Sequence, residues 1–451
     1  MKFYIFITLI IISSLATYRS YNIFNGKQKN LVEKFLEKKL LKLETIVQIK
    51  SEISNSNFKT TFIGEDEDYK YKVTSSEILD ITFGDCLKVS GNISRPEIKK
   101  SGETLYNFPY TEYLAKDNIY LMYKVVSSEK ISECPTLSHY EKVKLFFLNQ
   151  KINITKIFLQ KYDQPYAGLV AGVLIAGKGL MNPETLEIFK KVSLSHVIVL
   201  SGSNVSIIIF NIKYIFDSIF IIVKIRENLL SEIIRKFLIL ISITSFVLLT
   251  GGGAPIYRAF FSSFCALVIF KKDTDQFYAL TIVVLIMTII NPFGSIYDPS
   301  FHLTCCATYG LILFSKYFNQ LIIYSWMNFI PNFIREIISV TLATQVFVFP
   351  YIIFMSGSFS TVFLLSNILV LPLIPFIMLF GFLSLFPIIG GLCILVNNLI
   401  LKTIFYLVKV MSEIPGGYIV FDKKLSLVIL LGYSLVLILL IGRLRNVDLS
   451  K

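Results

Sequence analysis

The sequence predicts a polytopic α-helical membrane protein with about nine to eleven membrane elements and a small N-terminal β-barrel of the OB type. Three observations lead there. Of 451 residues, 54% are hydrophobic and only 17% charged, with mean hydropathy +0.64. Soluble domains do not have this composition, and membrane bundles do. Long apolar runs recur after Tyr140. Between residues 44 and 130 the pattern changes to apolar–polar alternation, the period of half-buried strands.

The elements follow in order. Lys2 and the apolar run Phe3 to Tyr18 read as an uncleaved membrane anchor over residues 1–22, although Ser14-Leu15-Ala16 resembles a small-x-small cleavage site. An amphipathic charged stretch, Leu31 to Leu43, carries Lys34, Lys38 and Lys39 on its polar side. Alternating segments begin at Thr45, Phe58, Tyr69 and Cys86 within a domain read as residues 23–139. About four or five such strands fit a small closed barrel. Residues 140–451 are read as the membrane domain, with apolar runs centred near 208, 243, 263, 284, 307, 346, 372, 401 and 433. Tyr166 to Leu180 is short and glycine-rich, the pattern of a re-entrant element.

Charge separates the two halves. From Lys42 to Glu133 there are 12 basic and 15 acidic residues, and from Thr136 to Lys451 there are 25 and 14. Most of the chain's +13 excess thus lies in the membrane part. Basic loops beside anionic lipid account for such a bias, as does a polyanionic substrate. Clusters at Lys224/Arg226/Arg235/Lys236, Lys271/Lys272 and Arg443/Arg445 are separated by even numbers of spans. They are expected in the cytoplasm, with the strand-rich domain outside. Arg19, Lys27 and Lys29 argue weakly the other way. Cys86 and Cys134 are the cysteines of that outer segment, and an extracytoplasmic setting would let them pair in a disulfide.

Polar groups at bilayer depth mark candidate chemistry, because lipid offers no hydrogen-bond partners. His196 leads into Ser201-Gly202-Ser203-Asn204 inside an apolar run. As continuous helix, His196 and Ser203 would share a face. The Ser-Gly-Ser sequence also weakens helix, and a break would expose backbone to a solute. Packing through small residues, with Asn204 bonded between helices, has equal weight. Gly251-Gly252-Gly253 ends one helix, Pro255 opens the next, and Arg258 falls near its first turn, where the helix dipole disfavours a cation. An acidic partner such as Asp298, or snorkelling to headgroups, ranks ahead of a bound phosphate on residues alone. Asn291-Pro292 and Asp298-Pro299 form a turn before His302 and Thr304, and Asn367 interrupts another apolar run.

Other chemistries are disfavoured. There is no Walker-type loop for ATP. His139, His196 and His302 are too far apart for a dinuclear hydrolase signature, and no G-x-S-x-G elbow is present. The expectation is a non-enzyme without metal or other cofactors.

These stations, in this order, resemble the ComEC-type DNA internalisation channels of bacterial competence. Leu194 to Val205 resembles that family's His…Ser-Gly signature, Thr250 to Ala259 its Gly…Arg-Ala helix start, Asn291 to Gly310 its Asn-Pro helix, and Ser366 to Pro372 its Asn…Pro helix. Phe83 to Gly91 and Phe108 to Leu114 resemble its OB-like domain. Asn204 stands where the family often has a second histidine. The metallo-β-lactamase-like domain of many members has no counterpart before Lys451.

The resemblance implies a plasma-membrane channel for single-stranded DNA, with His196, Ser201, Gly202, Ser203, Asn204, Arg258, Asp298, His302 and Asn367 as path candidates. Besides membrane lipid, it implies a separate cytoplasmic helicase ATPase, a DNA receptor and a nuclease as partners. Self-association into a homo-oligomer stays open. The alternative is a secondary transporter or exporter of a small or lipid-linked substrate.

Overall fold

The computed structural model describes residues 42–421 except 57–58, 95, 97–109, 132–133, 199, 224–228, 269–274 and 325–330, with Tyr18, Asn22 and Tyr433 besides. Apart from those three single residues, the expected anchor, the stretch before Lys42 and the run near residue 433 lie outside the described residues. So do the basic residues Lys224, Arg226, Lys271, Lys272, Arg443 and Arg445.

The alternating segments become β1 (Lys42–Ile49), β2 (Ser54–Ser56), β3 (Lys59–Glu65), β4 (Lys70–Ser75), β5 (Cys86–Ser94) and β6 (Ile119–Ile131), with helix α1 (Tyr110–Ala115) between the last two. The amphipathic stretch read as far as Leu43 therefore gives way to strand at Lys42. Pairing runs β1-β5-β6-β4-β3, and β3 returns to β1 through Gln48 opposite Glu65 and Ile49 opposite Gly64. The β4–β6 pair is parallel. Five strands thus close into an OB-like barrel, with β2 a short addition on β3. Closure removes the open edges a small sheet would otherwise expose.

Alternation places Val47, Ile49, Phe62, Tyr71, Val73, Leu87, Val89, Leu121 and Tyr123 in one core. Fully burying a side chain of this size stabilises by roughly 1.5–3 kcal/mol. The buried phenols find acceptors: Tyr71 donates to Asp66 at 2.7 Å and Tyr123 to the Val89 carbonyl at 3.0 Å. Opposite the bulge in β6, Gly91 of β5 meets β6 so closely that a Cβ would lie 2.1 Å from the Lys124 carbonyl oxygen. Cys86 and Cys134 are joined in a disulfide, Cα atoms 5.7 Å apart, tying the start of β5 to the segment that follows β6.

That segment feeds α2 (His139–Lys161), which Ser138 and Glu141 start with a reciprocal capping box. Glu141 also pairs with Lys50 at the end of β1. The Lys50 ammonium and the Ser138 backbone N–H hold the Glu141 carboxyl at about 2, well below its ordinary range.

The remaining helices are α3 (Tyr166–Ile175), α4 (Pro183–Lys191), α5 (Ser195–Ile198), α6 (Gly202–Ile222), α7 (Leu229–Thr250), α8 (Ala254–Val268), α9 (Gln276–Ile290), α10 (Pro292–Tyr297), α11 (Pro299–Tyr324), α12 (Asn332–Ser356), α13 (Phe363–Val370), α14 (Ile374–Leu383) and α15 (Gly390–Ser412). Strands β7 (Ser358–Ser360) and β8 (Tyr418–Val420) pair after α12 and α15.

Among the described residues, five helical stretches are long and apolar enough to cross a membrane: Asn204–Ile222, Leu229–Thr250, Asn332–Ser356, Phe363–Leu383 and Gly390–Ser412. Three shorter apolar helices, α3, α8 and α9, stand beside them. The nine to eleven elements expected exceed these five partly because α8 and α9 flank undescribed residues, and partly because α11 carries His302, Thr304, Lys316, Asn319 and Gln320. The glycine-rich element expected to be re-entrant is α3, buried from Ala167 to Ile175 and closed by Ala176 in the left-handed region.

Small residues set the helix crossings, as they do where lipid supplies no hydrophobic drive. A Cβ on Gly310 of α11 would lie 2.4 Å from the Ala343 carbonyl oxygen of α12. One on Gly172 of α3 would lie 2.2 Å from the Ile198 carbonyl oxygen of α5.

Two outcomes are expected. Gly310→Leu should destabilise the full chain in detergent by about 1–3 kcal/mol, the cost of overpacking, read as a lowered thermal midpoint. Glu141→Gln should lower that midpoint at pH 7 by the equivalent of about 1 kcal/mol, the usual worth of a cap. A carboxylate depressed on folding stabilises above its unfolded pKa of about 4.3 and loses that contribution as pH falls toward about 2. The gap between wild-type and variant should therefore be constant from pH 7 to about 5 and close below about pH 4.

Candidate functional site

The stretch from Ser195 to Val205 is not one helix. It breaks after α5, and α6 starts at Gly202 with Ser201 as its N-cap, extended at φ −87° and ψ 162°. The Ser201 hydroxyl accepts from the Asn204 N–H at 3.3 Å. The shared face expected for His196 and Ser203 on a continuous helix is therefore absent. Instead His196 is exposed and donates from Nδ1 to the Ser193 carbonyl at 3.1 Å. Ser-Gly-Ser breaks the helix because glycine weakens it and the Ser201 side chain satisfies a free N–H only at a helix start.

The break brings α6 against α8. Glycines 251, 252 and 253 all have positive φ, at 81°, 78° and 139°, so the chain reverses tightly between α7 and α8. Arg258 then projects toward the start of α6. A Cβ on Gly202 would lie 2.2 Å from Arg258 Nη2, so only glycine leaves the guanidinium its place. Arg258 Nε donates to Thr304 Oγ1 of α11 at 2.7 Å. Three stretches far apart in sequence thus converge on one cation: Ser201–Asn204, Gly251–Arg258 and Phe301–Thr304.

Asp298, expected as an acidic partner for Arg258, is engaged elsewhere. Its Oδ2 accepts from Lys116 of the barrel at 2.8 Å and its Oδ1 from the Ser300 N–H at 3.0 Å. Thr304, a neutral acceptor, takes its place at Arg258. The cation stands within the N-terminal part of α8 and against the N-terminus of α6, both ends with positive partial charge. Asn204, only 4% exposed, adds a buried Nδ2 without an acceptor among the described residues. This constellation offers donors and positive charge. Such a set of groups can receive an anion.

The other sequence-predicted residues separate from it. His302 bonds Tyr351 of α12 through Nδ1 and the Ser295 carbonyl through Nε2, each at 2.8 Å, and so braces α10, α11 and α12. Since the carbonyl only accepts, Nε2 carries a hydrogen. Asn367 donates to Thr341 at 3.4 Å, a bond between α13 and α12, and its Oδ1 is buried without a partner among the described residues. The Ser203 side chain lies outside the described residues. Thr304 carried no sequence signal for its role beyond entering a helix beside Phe301-His302.

A protein-family model described as "Competence protein" matches residues 173–446, more than half of the chain. ComE operon protein 3 of Bacillus subtilis (strain 168) is 23% identical over 276 residues, covering 61% of this chain. The match spans 32% of that relative, about a third of its length. No solved structure matches the chain.

Proposed function

The chain belongs to the competence protein family, and from that premise we propose that it is a channel for single-stranded DNA across the cytoplasmic membrane in natural transformation. One observation carries the reading. Arg258 is held at converging helix N-termini with a threonine, and no carboxylate among the described residues, as its bonded partner. A passing phosphate supplies the missing negative charge, and backbone N–H groups at the start of α6 can share it. Backbone charge is common to every nucleotide, so such a contact needs no base reading.

The direction of passage follows from the ends of the bundle. The barrel touches the bundle at Asn291 and Asp298, and Lys151 of α2, which pairs with Glu52 of the barrel, reaches the Thr250 carbonyl, so all three contacts lie at the end where α7 finishes and α11 begins. Arg235 and Lys236, early in α7, and Arg335, early in α12, belong to the other end, with the loops of Lys224, Arg226, Lys271 and Lys272 beyond it in sequence. Positive loops favour the cytoplasm, so the barrel faces outward in this proposal. The work of transport then falls to a separate cytoplasmic ATPase, and strand degradation to a separate nuclease.

The test is uptake of labelled DNA in a competent strain whose own channel gene is replaced by this one. Arg258→Ala should reach the membrane at normal level and keep surface DNA capture. Its internalisation should fall about 10- to 100-fold, matching the ~1.5–3 kcal/mol of a hydrogen bond to a charged group. Normal uptake would overturn the phosphate contact. Gly202→Ala adds one methyl where the guanidinium now lies, and should lower uptake in the same assay without lowering the amount of chain in the membrane.

A further inference from the structure

The two sides of the Arg258–Thr304 bond are each tied to the barrel, and each tie is a lysine. Lys151, on α2, is 3% exposed. Its Nζ donates to Glu52 in the loop between β1 and β2 at 2.8 Å, and to the Thr250 carbonyl at 3.4 Å. Thr250 is the last residue of α7, where a cation is favoured by the helix dipole. The three-glycine reversal follows at once, and Arg258 lies just beyond it. Tyr257 closes over this turn, since a Cβ on Gly252 would meet its hydroxyl at 2.5 Å.

The second tie serves the other side. Lys116, immediately after α1, stands 4.0 Å from the centre of the Tyr113 ring and pairs with Asp298 at 2.8 Å. Its carbonyl accepts from Asn291 Nδ2 at 3.1 Å. Asn291 caps α10 through the Gly294 N–H at 2.8 Å, and Asp298 stands at the start of α11, which carries Thr304. Phe293 of α10 packs on the barrel core.

Burying an ammonium costs desolvation that apolar packing avoids. A barrel that only needed to stay attached could sit on Phe293 and its neighbours. One buried lysine, Lys151, and one largely covered lysine, Lys116, instead fix register at two defined points, one leading to Arg258 and the other to Thr304.

We propose that Lys116 and Lys151 are positioning residues through which the seating of the barrel sets the Arg258–Thr304 contact. In this arrangement a ligand that shifts the barrel loosens both ties and frees the guanidinium for an incoming phosphate. The inference rests on the DNA-channel reading of the Arg258 cluster, but its first readout does not use DNA.

Cys305 follows Thr304 and is 8% exposed. In a full-length chain with Cys265, Cys306 and Cys393 replaced by alanine, and the Cys86–Cys134 disulfide kept, it is the remaining free thiol of the six cysteines. Its rate of reaction with N-ethylmaleimide in membrane vesicles reads the opening of this corner. Lys116→Met and Lys151→Met should each raise the rate about tenfold, the scale of coupling along a packed network. Glu65→Gln, which removes a partly exposed ion pair with Lys70, should leave it unchanged. Exchanging the charges, Lys116→Asp with Asp298→Lys, should bring the rate back toward wild-type.

If the methionine variants do not reach the membrane, Glu52→Gln tests the first tie from a side chain that is 54% exposed, and the same rise is expected. Wild-type rates in the single variants, or a charge exchange that stays fast, would overturn the proposal. DNA uptake in the same strains separates the two readings. A responsive Cys305 with normal uptake by Arg258→Ala sinks the phosphate contact at Arg258 and leaves the ties standing. An unresponsive Cys305 with uptake blocked in Arg258→Ala does the reverse.

Discussion

A guanidinium held against helix N-termini in apolar surroundings is the constraint around which the membrane half is arranged. The charge cannot be neutralised, because arginine does not release its proton in proteins. Its bonded partner, Thr304, is neutral, and the nearest expected carboxylate is committed to Lys116. Around this cation the local structure is specialised. Gly202 has no side chain so that the guanidinium fits, glycines 251–253 adopt backbone that other residues resist, and Ser201 starts a helix in the middle of an apolar run. Each feature weakens regular helix, and together they leave an anion-shaped deficit at one point.

The barrel extends that arrangement outward. Its own core is built by alternation and closed by strand pairing, so it does not need the bundle to be complete. Its attachments are accordingly specific in place. Lys50 pairs with Glu141 of α2 and accepts at its carbonyl from Lys144 of α2, Lys151 returns from α2 to Glu52, and Lys116 reaches Asn291 and Asp298 at the starts of α10 and α11. The disulfide fixes the strand end from which α2 departs. Barrel, α2 and the Arg258 corner thus form a chain of contacts in which every link is a named polar pair, the kind of network that can hold two discrete arrangements.

Much of this was legible in the chain, and what was missed has a common cause. Alternation from Thr45 to Ser90 marks strands because period two and a closed barrel share one physical origin, and the four strands read there all form. Ser201-Gly202-Ser203 signals its break by composition alone. The errors concern partners distant in sequence. Asp298 was the natural mate for Arg258 among residues of the bundle, but a lysine from the barrel, 182 residues earlier, takes it. Reading His196 and Ser203 as one face required helix through the very residues that interrupt it. Asn367 and His302 show the limit from the other side. A polar residue in an apolar run announces that it needs a partner, and says nothing about whether that partner is Thr341, Tyr351 or a solute.

The placement of charge also bears on what kind of solute suits this path. A channel must attract its substrate strongly enough to admit it and weakly enough to release it. A continuous basic groove would hold a polyanion over many contacts, and the affinity would compound with every phosphate. Here the strand-rich segment is net acidic, with 15 acidic against 12 basic residues, and the cation at the described corner is Arg258. One phosphate at a time can answer it, and the next along the strand replaces the last at little cost in free energy. For a small anion the same corner would be a terminal binding site. For a regular polyanion in the proposed channel it would be a repeating step, and a net acidic barrel on the approach would keep the strand from settling before it gets there.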